Sequence, residues 1–111
     1  ATVNVTFPLE APSVYNDPAL YRRVLEINRE MLGEERIKGL EIIYPGGKMT
    51  GCEDFSYVSE RVPSVMMILT AGSPEKGYSY PLHHPKADFD ESVLHLGAAV
   101  YANTALEWLK L

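Results

Sequence analysis

The sequence predicts an α/β fold, a small sheet flanked by helices. Three observations carry that reading: alternation of polar and apolar residues from Thr2 to Phe7, a short unbroken apolar run from Ser64 to Gly72, and helical apolar spacing in two segments, one after Asp17 and one reaching the C-terminus. The order strand, helix, strand, short helix, strand, helix is the pattern in which crossovers lay helices over a sheet.

Taken in chain order, Val3, Val5 and Phe7 face one way and Thr2, Asn4 and Thr6 the other, the period of a half-buried strand that Pro8 ends. Residues 9–16 show no helical pattern and read as a connector. Asp17 is a good N-cap, Pro18 suits the first helical position, Leu20, Val24, Ile27 and Met31 share a face, and Gly33 is the stop. From Arg36 to Tyr44, Ile37, Leu40, Ile42 and Ile43 precede "PGG", and their β-branching favours a short strand. The stretch "GGKMTGCEDFSYVSERVP" predicts a helix of about two turns, with acidic residues at its positive end and Pro63 as its limit. The run "SVMMILTAG" reads as a buried central strand. A loop follows from Ser73 to Phe89, and the last helix starts at Asp90 or Glu91. Its apolar face holds Val93, Leu96, Ala99, Val100, Leu106 and Leu109, while Gly97 and the alanines permit close packing.

With 111 residues, 46% of them hydrophobic and 23% charged, the chain reads as one soluble globular domain. A net charge of -5 and the lack of a Lys/Arg patch argue against nucleic acid or an anionic membrane as a partner. Cys52 is the single cysteine, so no internal disulfide forms, and no leader or long apolar run is visible; a reducing cytoplasm is the expected setting. The chain opens on "ATVNVTF", without methionine and already in strand-like alternation, which predicts a piece of a longer protein.

Chemistry-bearing residues are few. A catalytic zinc site draws three ligands from His, Asp, Glu or Cys, and the histidines are His83, His84 and His95. Adjacent residues of an extended segment point to opposite sides, so at most one of His83 and His84 reaches a given ion. Spacing such as HxxxH or HExxH is absent, and the residues alone leave the pair open as ligand and neighbour or as ordinary loop side chains. His95, between Leu94 and Leu96, reads as a satisfied core or surface residue. The "GCEDF" loop offers backbone N–H groups and a helix start to a carboxylate or oxyanion; equally, Gly51 makes a turn and Glu53 or Asp54 caps a helix. Cys52 reads as a small buried hydrophobe rather than a nucleophile, and Tyr78 and Tyr80 as cover for apolar surface.

Taken together and in order, "APSVYNDPAL", "MTGCEDFSYVSERVP" and "YPLHHPKADFDESVLHLGAAVYANTALEWL" resemble the closing segment of an amidohydrolase of metallopeptidase family twenty, in its hippurate hydrolase, N-acyl-amino-acid hydrolase and auxin-conjugate hydrolase branch. The resemblance implies a catalytic α/β domain of the zinc-peptidase type with two divalent metals, zinc or manganese, interrupted by a lid or dimerisation domain. Residues 1–8 would then be the last lid strand, 9–16 the connector, and 17–111 the C-terminal part of the catalytic domain. The family's late "LHxP" element implies that His83 in "PLHHP" is a metal ligand, whereas relatives often have serine where His84 stands. Gly51, Cys52 and Glu53 become lining residues of the substrate pocket, and Asp54 organises that loop. Ala87 departs from the pattern, standing where an aromatic is usual.

The early Gly-His-Asp-type motif and the catalytic glutamate, which would take a proton from a metal-held water attacking an amide carbonyl, would lie upstream, so no catalytic residue falls in this segment. The function implied is hydrolysis of the amide bond of N-acyl amino acids or small peptides by a longer protein, the segment alone being inactive. Apolar surface left on the central strand and first helix predicts a homo-oligomer or self-association. The competing reading is a non-enzymatic α/β domain that docks onto another chain; a thiol or redox enzyme built on Cys52 ranks last.

Overall fold

The computed structural model of the chain describes residues 1–6, 11–43 and 51–110. Two fifteen-residue helices dominate it. Helix α1 spans Pro18–Leu32, and its start is the one the sequence predicts: the Asp17 carboxylate accepts from the N–H groups of Ala19 (3.1 Å) and Leu20 (2.8 Å). Its end is at Gly33, whose positive φ of 84° glycine adopts without Cβ strain. Val24, Ile27 and Asn28 form its buried face.

The segment predicted as a short strand between Arg36 and Tyr44 instead holds a one-turn helix α2, Leu40–Ile43. Side chains of α1 decide this. The Arg29 Nε donates to the Ile37 carbonyl (3.0 Å), and the Tyr21 hydroxyl accepts from Leu40 N–H (3.1 Å) while donating to Glu41 (3.2 Å). With those backbone groups satisfied locally and no ladder beside them, β-branching does not make a strand. Tyr44 and the "PGG" that follows lie outside the described residues.

Helix α3, Ser56–Ser59, is a single regular turn, continued by hydrogen-bonded turns to Val62 just before Pro63. The apolar run 64–72 is not part of a sheet: among the described residues no β-strand forms, and the one isolated bridge pairs Ser73 with Tyr78. Its backbone groups go to side chains and loops instead. Met66 N–H donates to the Asn16 side chain (2.8 Å), Ser64 O accepts from Asp17 N–H (3.0 Å) and Ala71 O from Asp90 N–H (2.9 Å). Nor is the run fully buried as predicted, since Ile68 and Leu69 are 46% and 44% exposed. The predicted strand at Thr2–Phe7 fares likewise: residues 1–6 are exposed and carry no ladder, and Phe7 and Pro8 are outside the described residues.

A 3₁₀ turn, Glu91–Val93, leads into helix α4, Leu94–Trp108. Helix α4 packs against α1, and the contact is polar at its centre. Asn28, 1% exposed, donates to Val24 O (2.9 Å) and to the Thr104 hydroxyl (2.9 Å), while Asn103 donates to Ile27 O (3.0 Å) and to the Asn28 carbonyl oxygen (3.3 Å). Gly97 lets Leu69 approach: an added Cβ there would sit 3.2 Å from the Leu69 Cδ2.

Little of the apolar content is buried, although the composition reads as one globular domain. Among the described residues only Val24 and Ile27 are buried apolar side chains, whereas Leu94, Tyr101, Leu106, Trp108 and Leu109 of the last helix and its end are exposed. The radius of gyration, 17.3 Å, exceeds the roughly 13 Å of a compact domain of this size. Exposed apolar surface thus lies on the last helix and the 64–72 run more than on the first helix, whose apolar face is turned onto α4.

Candidate functional site

The loop between the apolar run and α4 carries both adjacent histidines, and it is built in two tiers. At its base, Ser73 and Tyr78 exchange backbone hydrogen bonds (3.1 and 3.0 Å) around the 3₁₀ turn Pro74–Lys76, which ends at Gly77 with φ 95°. Asp90 closes the other side. Its carboxylate accepts from Ser92 N–H (3.0 Å), capping the start of the last helix, and from the Lys76 ammonium (2.6 Å), while its own N–H donates to Ala71 O. The Lys76 ammonium first, then the Ser92 hydrogen bonds, hold the Asp90 carboxyl down to about 2; the same pairing raises Lys76. Asp90 is buried, with its partner's side chain 61% exposed.

At the tip, Pro81 O accepts from His84 N–H (3.2 Å), closing a turn in which His83 takes φ 69°. His83 is the one non-glycine residue with positive φ among the described residues. That conformation carries a Cβ clash of roughly 1 kcal/mol or more, and histidine is among the residue types that tolerate it. The tip is therefore turned and not extended as the sequence reading assumed. The His84 ring stacks on Tyr80, centroids 4.4 Å apart and planes within 13°, and its Nδ1 accepts from Lys86 N–H (3.1 Å). An accepting Nδ1 leaves the proton of the neutral ring on Nε2. The Lys86 ammonium lies 5.8 Å from the Tyr80 centroid, within cation–π range. The His83 side chain is exposed and accepts or donates no hydrogen bond among the described residues.

The other predicted site residues are placed differently. Gly51, Cys52, Glu53 and Asp54 are all exposed, so Cys52 is not the small buried hydrophobe predicted: no element covers the stretch ahead of α3 among the described residues. The Glu53 carboxylate accepts from Phe55 N–H (3.4 Å) and the Asp54 backbone carbonyl from Tyr57 N–H (3.1 Å), but the N-cap of α3 is Phe55 and no side chain caps it, so neither acidic residue is the cap the sequence offers. An added Cβ at Gly51 would meet nothing within 4 Å, so that glycine fronts open space. His95 is exposed on α4. No group of three His, Cys, Asp or Glu side chains that could hold a metal forms among the described residues. No described helix is long and apolar enough to cross a membrane.

Sequence reading missed the Lys76–Asp90 pair. Asp90 was legible as a helix start, but a partner fourteen residues upstream follows only from how the loop closes.

Against known proteins, the family profile described as Peptidase family M20/M25/M40 matches residues 2–107. The chain belongs to that family. Among curated relatives it is 31% identical over 99 residues to the IAA-amino acid hydrolase ILR1-like 2 of Arabidopsis thaliana, an alignment covering 89% of this chain and 21% of the relative. It is 37% identical over 90 residues to the N-acetyldiaminopimelate deacetylase of Streptococcus pneumoniae, covering 81% of this chain and 21% of the relative. The chain thus spans about a fifth of the length of these relatives. No solved structure matches it.

Proposed function

We propose that this chain is the C-terminal part of the catalytic domain of a dinuclear-metal amidohydrolase, whose complete form cleaves the amide bond of N-acyl amino acids or small peptides, and that His83 is its metal ligand. The observation that supports this most is the family match over residues 2–107 combined with an exposed imidazole in "PLHHP", that of His83, which makes no hydrogen bond among the described residues. The names of the relatives, a hydrolase of an amino-acid conjugate and a deacetylase, point to amide cleavage.

The residues present fit a metal as one contributor and no more. An imidazole held at an exposed loop tip, in a strained turn and without a hydrogen-bond partner among the described residues, suits an ion whose other ligands come from elsewhere. When bound, a zinc or manganese ion supplies Lewis-acid polarisation of a carbonyl and lowers the pKa of water. This chain's part is to present the imidazole. The turn sets its direction, and the committed ring of His84 keeps the neighbour from competing for the ion. Gly51, Cys52 and Glu53 would line the substrate pocket, with open space in front of the Gly51 backbone, and Asp54 would order that loop through its carbonyl.

The same proposal accounts for the absent sheet. The run 64–72 and residues 1–6 would be strands that find their ladders with other strands, residues 1–8 in a lid domain and 64–72 inside the catalytic sheet, with 9–16 as connector and 17–111 as catalytic domain. Exposed Ile68, Leu69, Tyr101 and Trp108 support self-association of the isolated segment, which would be inactive with one ligand. We place the complete protein in the cytoplasm.

The test is hydrolysis of a panel of N-acyl amino acids by the complete protein in the presence of zinc or manganese. Turnover of at least one, lost on chelation, is the expected result. If the reading frame starts with its own codon just ahead of Ala1, the amidohydrolase reading fails.

A further inference from the structure

Residues 77–89 form a loop whose two ends are held together and whose middle residue is His83. Lys76 precedes the loop and Asp90 follows it, and their side chains meet at 2.6 Å. Asp90 is anchored on two further sides, through its N–H to Ala71 O and through its carboxylate to Ser92 N–H, so it is fixed to both the end of the apolar run and the start of α4. Lys76 is fixed in turn by the 3₁₀ segment that the Ser73–Tyr78 bridge closes, with Lys76 N–H donating to Ser73 O (3.0 Å).

Between these ends the loop's contacts among the described residues are local: the Tyr80–His84 stack, the Lys86 contacts, and the bonds from His84 N–H to Pro81 O (3.2 Å) and from Ala87 N–H to His84 O (2.8 Å). Among the described residues, no side chain from α1 or α2 hydrogen-bonds to residues 79–89. The direction of the His83 imidazole therefore depends on how firmly the two loop ends are joined.

We infer that Lys76 and Asp90 are positioning residues that clamp the base of the 77–89 loop and so set the geometry of His83 as a metal ligand. The inference rests on the metal-ligand reading of His83. Removing the clamp would let the loop ends separate, and the imidazole would visit the ligating position less often. Groups that orient a ligand from behind it commonly change metal affinity by about ten- to a hundredfold.

The test is zinc binding by the complete protein, titrated against a chromophoric chelator at a temperature far below unfolding, in wild type and in Lys76→Met, Lys76→Arg, Asp90→Asn and His83→Ala. Asparagine at position 90 keeps an acceptor for Ser92 N–H and removes the charge that holds Lys76. Expected are a roughly tenfold weaker zinc affinity in Lys76→Met and Asp90→Asn, recovery in Lys76→Arg, unchanged helical circular dichroism, and loss of one zinc in His83→Ala. Should Asp90→Asn fail to fold, Lys76→Met carries the test, because most of that side chain is in solvent. A merely structural pair would lower the urea midpoint and leave zinc affinity of the folded protein unaltered; that result overturns the inference while the His83 assignment stands. Full zinc binding in His83→Ala overturns both.

Discussion

The seam between α1 and α4 and the loop that carries His83 are held by opposite means. In the seam, Asn28 is almost fully buried and every contact it makes crosses or lines a helix interface. In the loop, the groups are exposed apart from Asp90 and the half-buried Tyr78 and His84, and order comes from a charge clamp, a ring stack and a turn with one left-handed residue. Burial fixes a helix pair irrespective of what surrounds it. A loop tied at its base keeps its tip in solvent, as the proposed ligand role of His83 requires.

The contrast can be broken most sharply at the seam. Asn28→Ala removes the donor to Thr104 and Val24 and the acceptor for Asn103 in a buried position, and should cost about 2–3 kcal/mol, read as a fall in the urea midpoint; a change below about 0.5 kcal/mol would show that the polar seam does not hold the helices. Asp17→Ala deletes a cap that serves two N–H groups and should cost about 1 kcal/mol by the same measurement, with helical signal lost from the N-terminal end of α1.

The loop should behave in the other direction. His83→Gly relieves a left-handed φ, and although glycine also gains freedom in the unfolded chain, a net stabilisation of a few tenths of a kcal/mol is expected, together with loss of metal binding. A substitution that stabilises while removing function is the mark of a residue strained for its task; a clear destabilisation would mean that the imidazole has a structural partner. The clamp adds a pH dependence. Asp90 is lowered from 3.8 to about 2, so its contribution is in place above pH 3.8 and is lost as pH falls through about 2. Lys76 is raised from 10.5, so its contribution is complete below that value and lost as pH rises beyond it. Asp90→Asn should therefore flatten the acid limb of the stability profile between pH 4 and 2, and an identical acid limb in the variant would count against the clamp.

What the sequence disclosed follows the range of the forces involved. Asp17, Pro18 and Gly33 act on their own neighbours, so both ends of α1 were legible. The start of the last helix, where Asp90 caps Ser92, was legible for the same reason. The strand segments form no ladder among the described residues, because a strand is completed by a partner: Met66 N–H finds Asn16 and Leu40 N–H finds the Tyr21 hydroxyl, and neither choice is written in the local pattern. Cys52 was misread because burial depends on what covers a residue, and a lone cysteine carries no sign of that. Spacing left His83 and His84 open, and the family pattern singled out His83. In the structure His84 is engaged by Tyr80 and Lys86, whereas the His83 side chain makes no hydrogen bond among the described residues.

Metal stoichiometry addresses the proposed ligand role of His83 most directly. The complete protein, purified with and without His83→Ala and analysed for zinc and manganese, should lose about one ion per chain in the variant, as removal of one of the three or four protein ligands of a site would entail, while the helical signal is kept. Equal metal content in both proteins, with hydrolysis of the same N-acyl amino acids intact, would contradict it.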